Sequence, residues 1–281
     1  MSSVKRMIAV NGVDLCVQTF GDEGQPAVVL ISGASTSMDL WPAALCERLA
    51  HGGRFVIRYD LRDTGESTTY GAGNASYTLL DLTDDVVALL DALGLDQVQV
   101  VGMSMGGIIA QLVALVHPSR VRGLTLVSTS PAVPGQTERE LPGMATEDLA
   151  RFGAIPEADW SDPTSVLEHL VAGERACAAR SVPFDEESLR HEMRALVARV
   201  HDAASAENHF ALKDFDVSQW RLAHITAPTV VLHGDEDPVF PLAHGQALAD
   251  EIPGARLVVL HHVGHEVPAR MWDALEDAVT G

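Results

Sequence analysis

The 281-residue chain is short of three things, and each shortage closes off a class of protein. It has 3 cysteines, Cys16, Cys46 and Cys177, far apart and with no C-x-x-C pair, which excludes a disulfide framework and a cysteine-based zinc site and fits a reducing compartment. They read as buried small hydrophobes. It has 19 Lys+Arg against 39 Asp+Glu, a formal charge of −20, so its surface should repel nucleic acid and anionic membranes. Long apolar runs are also missing. Lys5-Arg6 is followed only by Met7-Ile8-Ala9-Val10 before Asn11-Gly12, too short for the core of a signal peptide, and no later run could span a bilayer. The chain is therefore expected to be cytoplasmic, with no membrane or nucleic-acid partner. There are no internal repeats and no low-complexity tracts.

What is present is an alternation of strands and helices around one stretch, Gly102-Met103-Ser104-Met105-Gly106. The apolar run Val98-Gln99-Val100-Val101 precedes it and Ile108 to Val116 follows it, so the pattern is strand, tight turn, helix. Glycines two residues either side are needed where a Cβ would meet the neighbouring strand or helix, and the turn pushes the Ser104 side chain out of the backbone's shadow. The helix start adds unpaired N–H groups and a positive dipole end beside it, both suited to a forming oxyanion.

Upstream, Met7 to Val10 and Leu15 to Phe20 read as a hairpin closed by Asn11-Gly12. Ala27 to Ile31 is a strand buried on both faces, ending in Ser32-Gly33-Ala34-Ser35-Thr36-Ser37. A helix over Trp41 to His51, a strand Phe55 to Tyr59, the polar loop Asp60 to Ser67 and a helix from Leu79 to Leu93 follow, and Val121 to Val127 forms the next strand. The alternation implies a parallel sheet with right-handed crossovers, hence an α/β fold. From residue 131 to about 220 the pattern changes to proline-punctuated helices, the clearest from about Glu186 to Asp202 with Asp185 as its N-cap and Leu189, Met193, Leu196, Val197 and Val200 on one face. This predicts a core of residues 1–130 and 221–281 with residues 131–220 inserted as a helical cap. The α/β pattern resumes with a strand Pro228 to His233, a helix over Leu242 to Ile252, a strand Arg256 to Leu260 and a last helix over Arg270 to Val279.

A serine hydroxyl needs a base for its proton and a carboxylate to fix that base's tautomer. Asp237 follows one late strand and His265 the next, which would bring both to the sheet edge that carries Ser104. The order serine, acid, histidine, with Gly234-Asp235-Glu236-Asp237-Pro238, Val263-Gly264-His265 and the Asp60 to Ser67 loop, resembles the α/β-hydrolases over the whole chain. That resemblance implies an α/β-hydrolase fold with a mostly parallel sheet, helices on both faces and a helical cap. It implies Ser104 as nucleophile, His265 as base, and Asp237, before the proline, as the acid, with Asp235 as the fallback. It also implies an oxyanion hole from the backbone N–H groups of Ala34 and Met105, with no cofactor and no metal. Many relatives have His-Gly where Ser32-Gly33 stands here, and most have glycine where Asp63 stands.

Ile57-Arg58-Tyr59-Asp60, Arg62-Asp63-Thr64-Gly65 and Ser67-Thr68-Thr69, with the serine stretch, further resemble the methylesterases of anthracycline biosynthesis, which remove a methyl group from a carbomethoxy substituent on a polycyclic polyketide. The resemblance implies a hydrophobic small-molecule ester as substrate. Gly33, Trp41, His209 and Phe210 are candidate substrate contacts, with Trp41 also readable as a packing anchor. A lactonase, a cofactor-free perhydrolase and a non-catalytic small-molecule binder remain open, since they would share these residues. The sequence leaves the oligomeric state unassigned.

Overall fold

The structure, a computed structural model, describes residues 3–133 and 140–280. Eight strands form one sheet in the order β1-β2-β4-β3-β5-β6-β7-β8. They are β1 (Ser3–Val10), β2 (Val13–Phe20), β3 (Ala27–Ile31), β4 (Phe55–Tyr59), β5 (Val98–Met103), β6 (Val121–Val127), β7 (Thr229–Gly234) and β8 (Arg256–Leu260). The first two run antiparallel and the other six are parallel to one another. The β1–β2 hairpin turns at Asn11 (φ 47°) and Gly12 (φ 78°), the two left-handed residues that its tight turn requires.

Strands β3 and β4 are buried at every residue, so successive side chains enter opposite hydrophobic layers. Val29 and Ile31 join the layer formed with α2 (Leu79–Ala92), α3 (Met105–Val116) and α7 (Ala243–Glu251), while Val28 and Leu30 join the layer of α1 (Ala43–His51) and α8 (Trp272–Thr280). Helices thus cover both faces. Helix α2 begins at a Thr78–Asp81 capping box, a start that its sequence carries in full.

Between β6 and β7 the described residues contain α4 (Thr146–Gly153), α5 (Pro163–Cys177) and α6 (Glu186–Arg199), followed by a 3-10 run Ala203–Phe210. Asp185 caps α6 by accepting from Ser188 N, as the sequence predicts. The helix stops at Arg199, not Asp202, because Val200 is extended and Asp202 caps the next turn by accepting from Ala204 N. No residue of α6 is fully buried. Its apolar side faces a cleft instead of a core.

Candidate active site

The tight turn after β5 has the geometry its sequence requires. Ser104 sits at φ 53° and ψ −122°, a strained conformation for a residue with a Cβ, costing of order 1–3 kcal/mol. Neighbours hold it there. A Cβ on Gly102 would lie 2.1 Å from Gly106 O, and one on Gly106 would lie 2.3 Å from Ile31 O, so β5, α3 and β3 approach more closely than any side chain permits. The Ser104 N–H donates to Val127 O at 3.1 Å and Thr129 Oγ1 donates to Ser104 O at 2.6 Å. Gly107 N and Ile108 N also bond Ser104 O, which leaves the Met105 and Gly106 N–H groups outside the helix's own bonding. The Ala34 loop runs beside this turn, since a Cβ on Gly33 would stand 3.3 Å from that of Ser104.

Asp237 and His265 come together as predicted from chain order. His265 Nδ1 faces Asp237 Oδ2 at 2.9 Å and Oδ1 at 3.1 Å, and the Asp237 side chain is sealed from solvent. Asp237 Oδ1 also accepts from Val239 N and Phe240 N, both at 2.9 Å. Burial works to raise this carboxyl, but the charge and hydrogen bond of His265, with the Phe240 N–H, outweigh it and hold the group below the usual carboxylate range. Asp235 faces elsewhere, accepting from His262 N and pairing with His261 Nδ1, each at 2.8 Å. Among the described residues Ser104 Oγ and His265 Nε2 are not hydrogen-bonded to each other or to a third group, and both residues are part-exposed.

Two further groups support this acid, and sequence reading did not single them out. His233, wholly buried behind Asp237 at 3.8 Å, donates through Nε2 to Phe240 O at 2.7 Å, and the Phe240 ring stands edge-on to His265 at 5.7 Å. Glu236 accepts from the backbone of Arg180 and Ser181 at 2.8 and 3.0 Å, tying the acid loop to the chain after α5. His265 N itself donates to Cys177 O at 2.8 Å.

Three predicted substrate contacts are corrected. Trp41 is fully buried in the layer of α1 and α8 and lines none of the cavities described below, so it is a packing anchor. His209 is buried with both ring nitrogens committed: Nδ1 accepts from Ser35 N at 3.0 Å and Nε2 donates to Arg62 O at 2.8 Å. Burial pushes its pKa down and keeps it neutral, as those roles require. It braces the Ala34 loop from the helical side, whereas Ser32 has a buried hydroxyl without a partner among the described residues. Phe210 is 71% exposed and points to solvent. Asp63 adopts φ 64°, a left-handed conformation that favours glycine. Its buried carboxylate accepts from Tyr70 N and Tyr77 OH, both at 2.6 Å, and from Asn208 Nδ2 at 3.0 Å, so it fastens the 3-10 run to the core.

A cleft of about 450 Å³ opens beside these loops, between the Ser35–Leu40 stretch, Glu266–Arg270 and the apolar sides of α5 and α6. Arg199, at the end of α6, makes paired bonds to the buried Asp60 at 2.7 and 2.8 Å and one at 2.6 Å to Asp39, which lines the cleft. A hollow of about 340 Å³ elsewhere on α5 is lined by Arg151, Arg175 and Arg190, all committed to acidic partners, and touches none of these loops.

The sequence pattern of the alpha/beta hydrolase fold matches residues 26–268. The chain belongs to that family. Its α/β-hydrolase relatives include the rhodomycin D methylesterase DauP of Streptomyces sp. strain C5, 34% identical over 98% of this chain and 96% of the relative. The rhodomycin D methylesterase DnrP of Streptomyces peucetius is 32% identical over the same shares. A hydrolase of Pseudomonas aeruginosa is the same kind of molecule in three dimensions, with a TM-score of 0.73 at 28% identity, covering 98% of this chain and 96% of that one.

Proposed function

We propose that this α/β-hydrolase is a serine-dependent carboxylic ester hydrolase that works through an acyl-enzyme, with Ser104 as nucleophile, His265 as base and then acid, and Asp237 as the carboxylate behind it. The observation that carries the reading is the 2.9 Å approach of His265 Nδ1 to Asp237 at the sheet edge where Ser104 is held in strain. With Nδ1–H donated to Asp237, Nε2 is the basic nitrogen, and it takes the Ser104 proton as Oγ attacks the ester carbonyl. The Met105 and Ala34 N–H groups receive the oxyanion. Collapse of the tetrahedral intermediate expels the alcohol, to which His265 returns the proton, and water activated by the same imidazole releases the acid.

Residues 131–220 act as a cap whose helices α5 and α6 supply the apolar wall of the cleft. The methylesterase relatives and this wall favour a methyl ester on a hydrophobic, polyketide-like ring system, with a role in antibiotic biosynthesis. Lactonase and perhydrolase chemistry would use the same groups, but the named relatives favour the ester. The enzyme acts in the cytoplasm; among the described residues no helix is long and apolar enough to cross a membrane.

The test is mass-spectrometric turnover of small acyl esters, lactones and bulky aromatic methyl esters by the native protein and by Ser104→Ala. Demethylation of the bulky esters, falling by about 10⁵-fold or more in the variant, is expected. Turnover retained by Ser104→Ala would overturn the mechanism, and preference for lactones would overturn the substrate class.

A further inference from the structure

The loop proposed to carry one oxyanion donor is gripped from two sides. In a trans peptide the C=O and N–H point opposite ways, so whatever holds the Gly33 carbonyl also turns the Ala34 N–H. Thr36 Oγ1 donates to Gly33 O at 3.0 Å. The Ala34 N–H has no hydrogen-bond partner among the described residues, as a donor kept for an oxyanion must. Ser35, the next residue, is left-handed at φ 56°, a conformation that a residue with a Cβ keeps only where its surroundings impose it. Here the helical segment imposes it. Ser35 N donates to His209 Nδ1 at 3.0 Å and Ser35 Oγ donates to Ala206 O at 2.8 Å.

His209 can act as a strut because its own seat is fixed. An amide N–H only donates and a carbonyl only accepts, so Nδ1 must accept from Ser35 and Nε2 must carry the proton given to Arg62 O at 2.8 Å. The 3-10 run that carries it is rooted in the core. Ser205 Oγ donates to Asp63 O at 2.9 Å, and Asn208 donates to Asp63 Oδ2 at 3.0 Å and Gly71 O at 2.8 Å while accepting from Gly73 N at 2.7 Å. The imidazole therefore spans two core loops, one at Arg62 and one at Ser35.

We propose that His209 and Thr36 are positioning residues of the oxyanion hole, which together aim the Gly33–Ala34 peptide at the Ser104 turn. The proposal rests on the ester-hydrolase reading and adds a route by which the helical segment sets the rate of the chemistry, separately from substrate fit. A misaimed donor matters little to a planar ester and much to a tetrahedral oxyanion, so the loss falls on kcat and not on KM.

The experiment exploits the two nitrogens. Asparagine places Oδ1 near the position of Nδ1, so His209→Asn keeps an acceptor for Ser35; glutamine places its amide near Nε2, so His209→Gln keeps only the donor to Arg62. Steady-state kinetics use whichever ester of the panel above the native protein cleaves fastest. Calorimetry measures phenylboronic acid, which forms a tetrahedral anion on an activated serine, and circular dichroism reports folding. His209→Gln should lower kcat by about 10²-fold and weaken the boronate by about tenfold or more, with KM within about threefold. Thr36→Val should lower kcat by about tenfold, and His209→Asn by less than about fivefold. Asn208→Ala, which loosens the same run without touching Ser35, should lower the unfolding midpoint and leave kcat within about threefold. Hydrogen exchange at the Ser35 amide should follow the order of kcat and not of stability.

Equal kcat in the asparagine and glutamine variants, or losses of kcat that track stability across the series, overturn the proposal. Should His209→Gln fail to fold, the isosteric Thr36→Val decides, and an unchanged kcat there overturns it. A native protein that cleaves no ester and takes no boronate would overturn the ester-hydrolase reading and this proposal with it, whereas native turnover that the His209 and Thr36 variants share in full overturns this proposal alone.

Discussion

The sheet edge and the helical segment beside it are held in shape by different means. At the sheet edge the constraint is backbone against backbone: Gly102 against Gly106 O, Gly106 against Ile31 O, and Ser104 N on Val127 O. In the helical segment, which has no strand among its described residues, the fastenings to the core run largely through polar side chains: Arg199 to Asp60, Asn208 to Asp63, and Glu236 to Arg180 and Ser181. Backbone contacts between strands tolerate almost no change in side-chain type, because there is no room for one. Side-chain fastenings can be rebuilt with other residues, which suits a region that shapes a pocket.

The comparison can be broken or sharpened by mutation, beginning with the largest effect. Asp237→Asn should lower kcat by about 10³–10⁴-fold through loss of the imidazole's tautomer and charge, while Asp235→Asn should cost under about tenfold. Steady-state rates on a single ester decide this, and equal losses would mean that the acid loop acts as a unit. Gly106→Ala should cost about 3 kcal/mol or more of stability, read from denaturant unfolding, because the Ile31 carbonyl lies in a strand that cannot move aside. A mild effect would show the turn to be softer than its packing implies.

On the helical side, Arg199→Met should cost about 2–4 kcal/mol, since it leaves Asp60 buried without its guanidinium. The loss should appear first as faster hydrogen exchange across residues 186–210 and as a raised KM, with the sheet protected. Uniform exchange throughout the chain would erase the distinction between the regions. The smallest effect concerns acid. Ser181 and backbone N–H groups lower the Glu236 carboxyl from 4.5 to about 2, so its fastening is fully present above about pH 4.5 and is lost as pH falls through about 2. Glu236→Gln should therefore speed amide exchange at Arg180 and Ser181 at neutral pH while leaving the wild type's acid-induced step absent.

The same division governs what could be read from the sequence. The parallel strands were legible because Ala27–Ile31 and Phe55–Tyr59 are apolar at nearly every residue, and the turn was legible because only glycine fits at 102 and 106. Asp237 was separable from Asp235 only through the proline after it. His209 looked like a pocket residue because its partners are backbone groups 174 and 147 positions away, which no local pattern encodes. Arg199 did leave a trace, since it falls three residues after Leu196 on the apolar side of α6.

The bond from His265 N to Cys177 O bears on how such enzymes diversify. Gly264 is pressed against the same stretch, where a Cβ would lie 2.3 Å from Cys177 O, and Ala179 N donates to Glu266 at 3.2 Å. The end of α5 is therefore part of the cradle of the imidazole as well as part of the pocket wall. Recombination that swaps one helical segment for another cannot treat the segment as a detachable module. A chimaera that keeps its own residues 177–181 carries its histidine's seat with it, and one that exchanges them inherits a new substrate wall together with a displaced base.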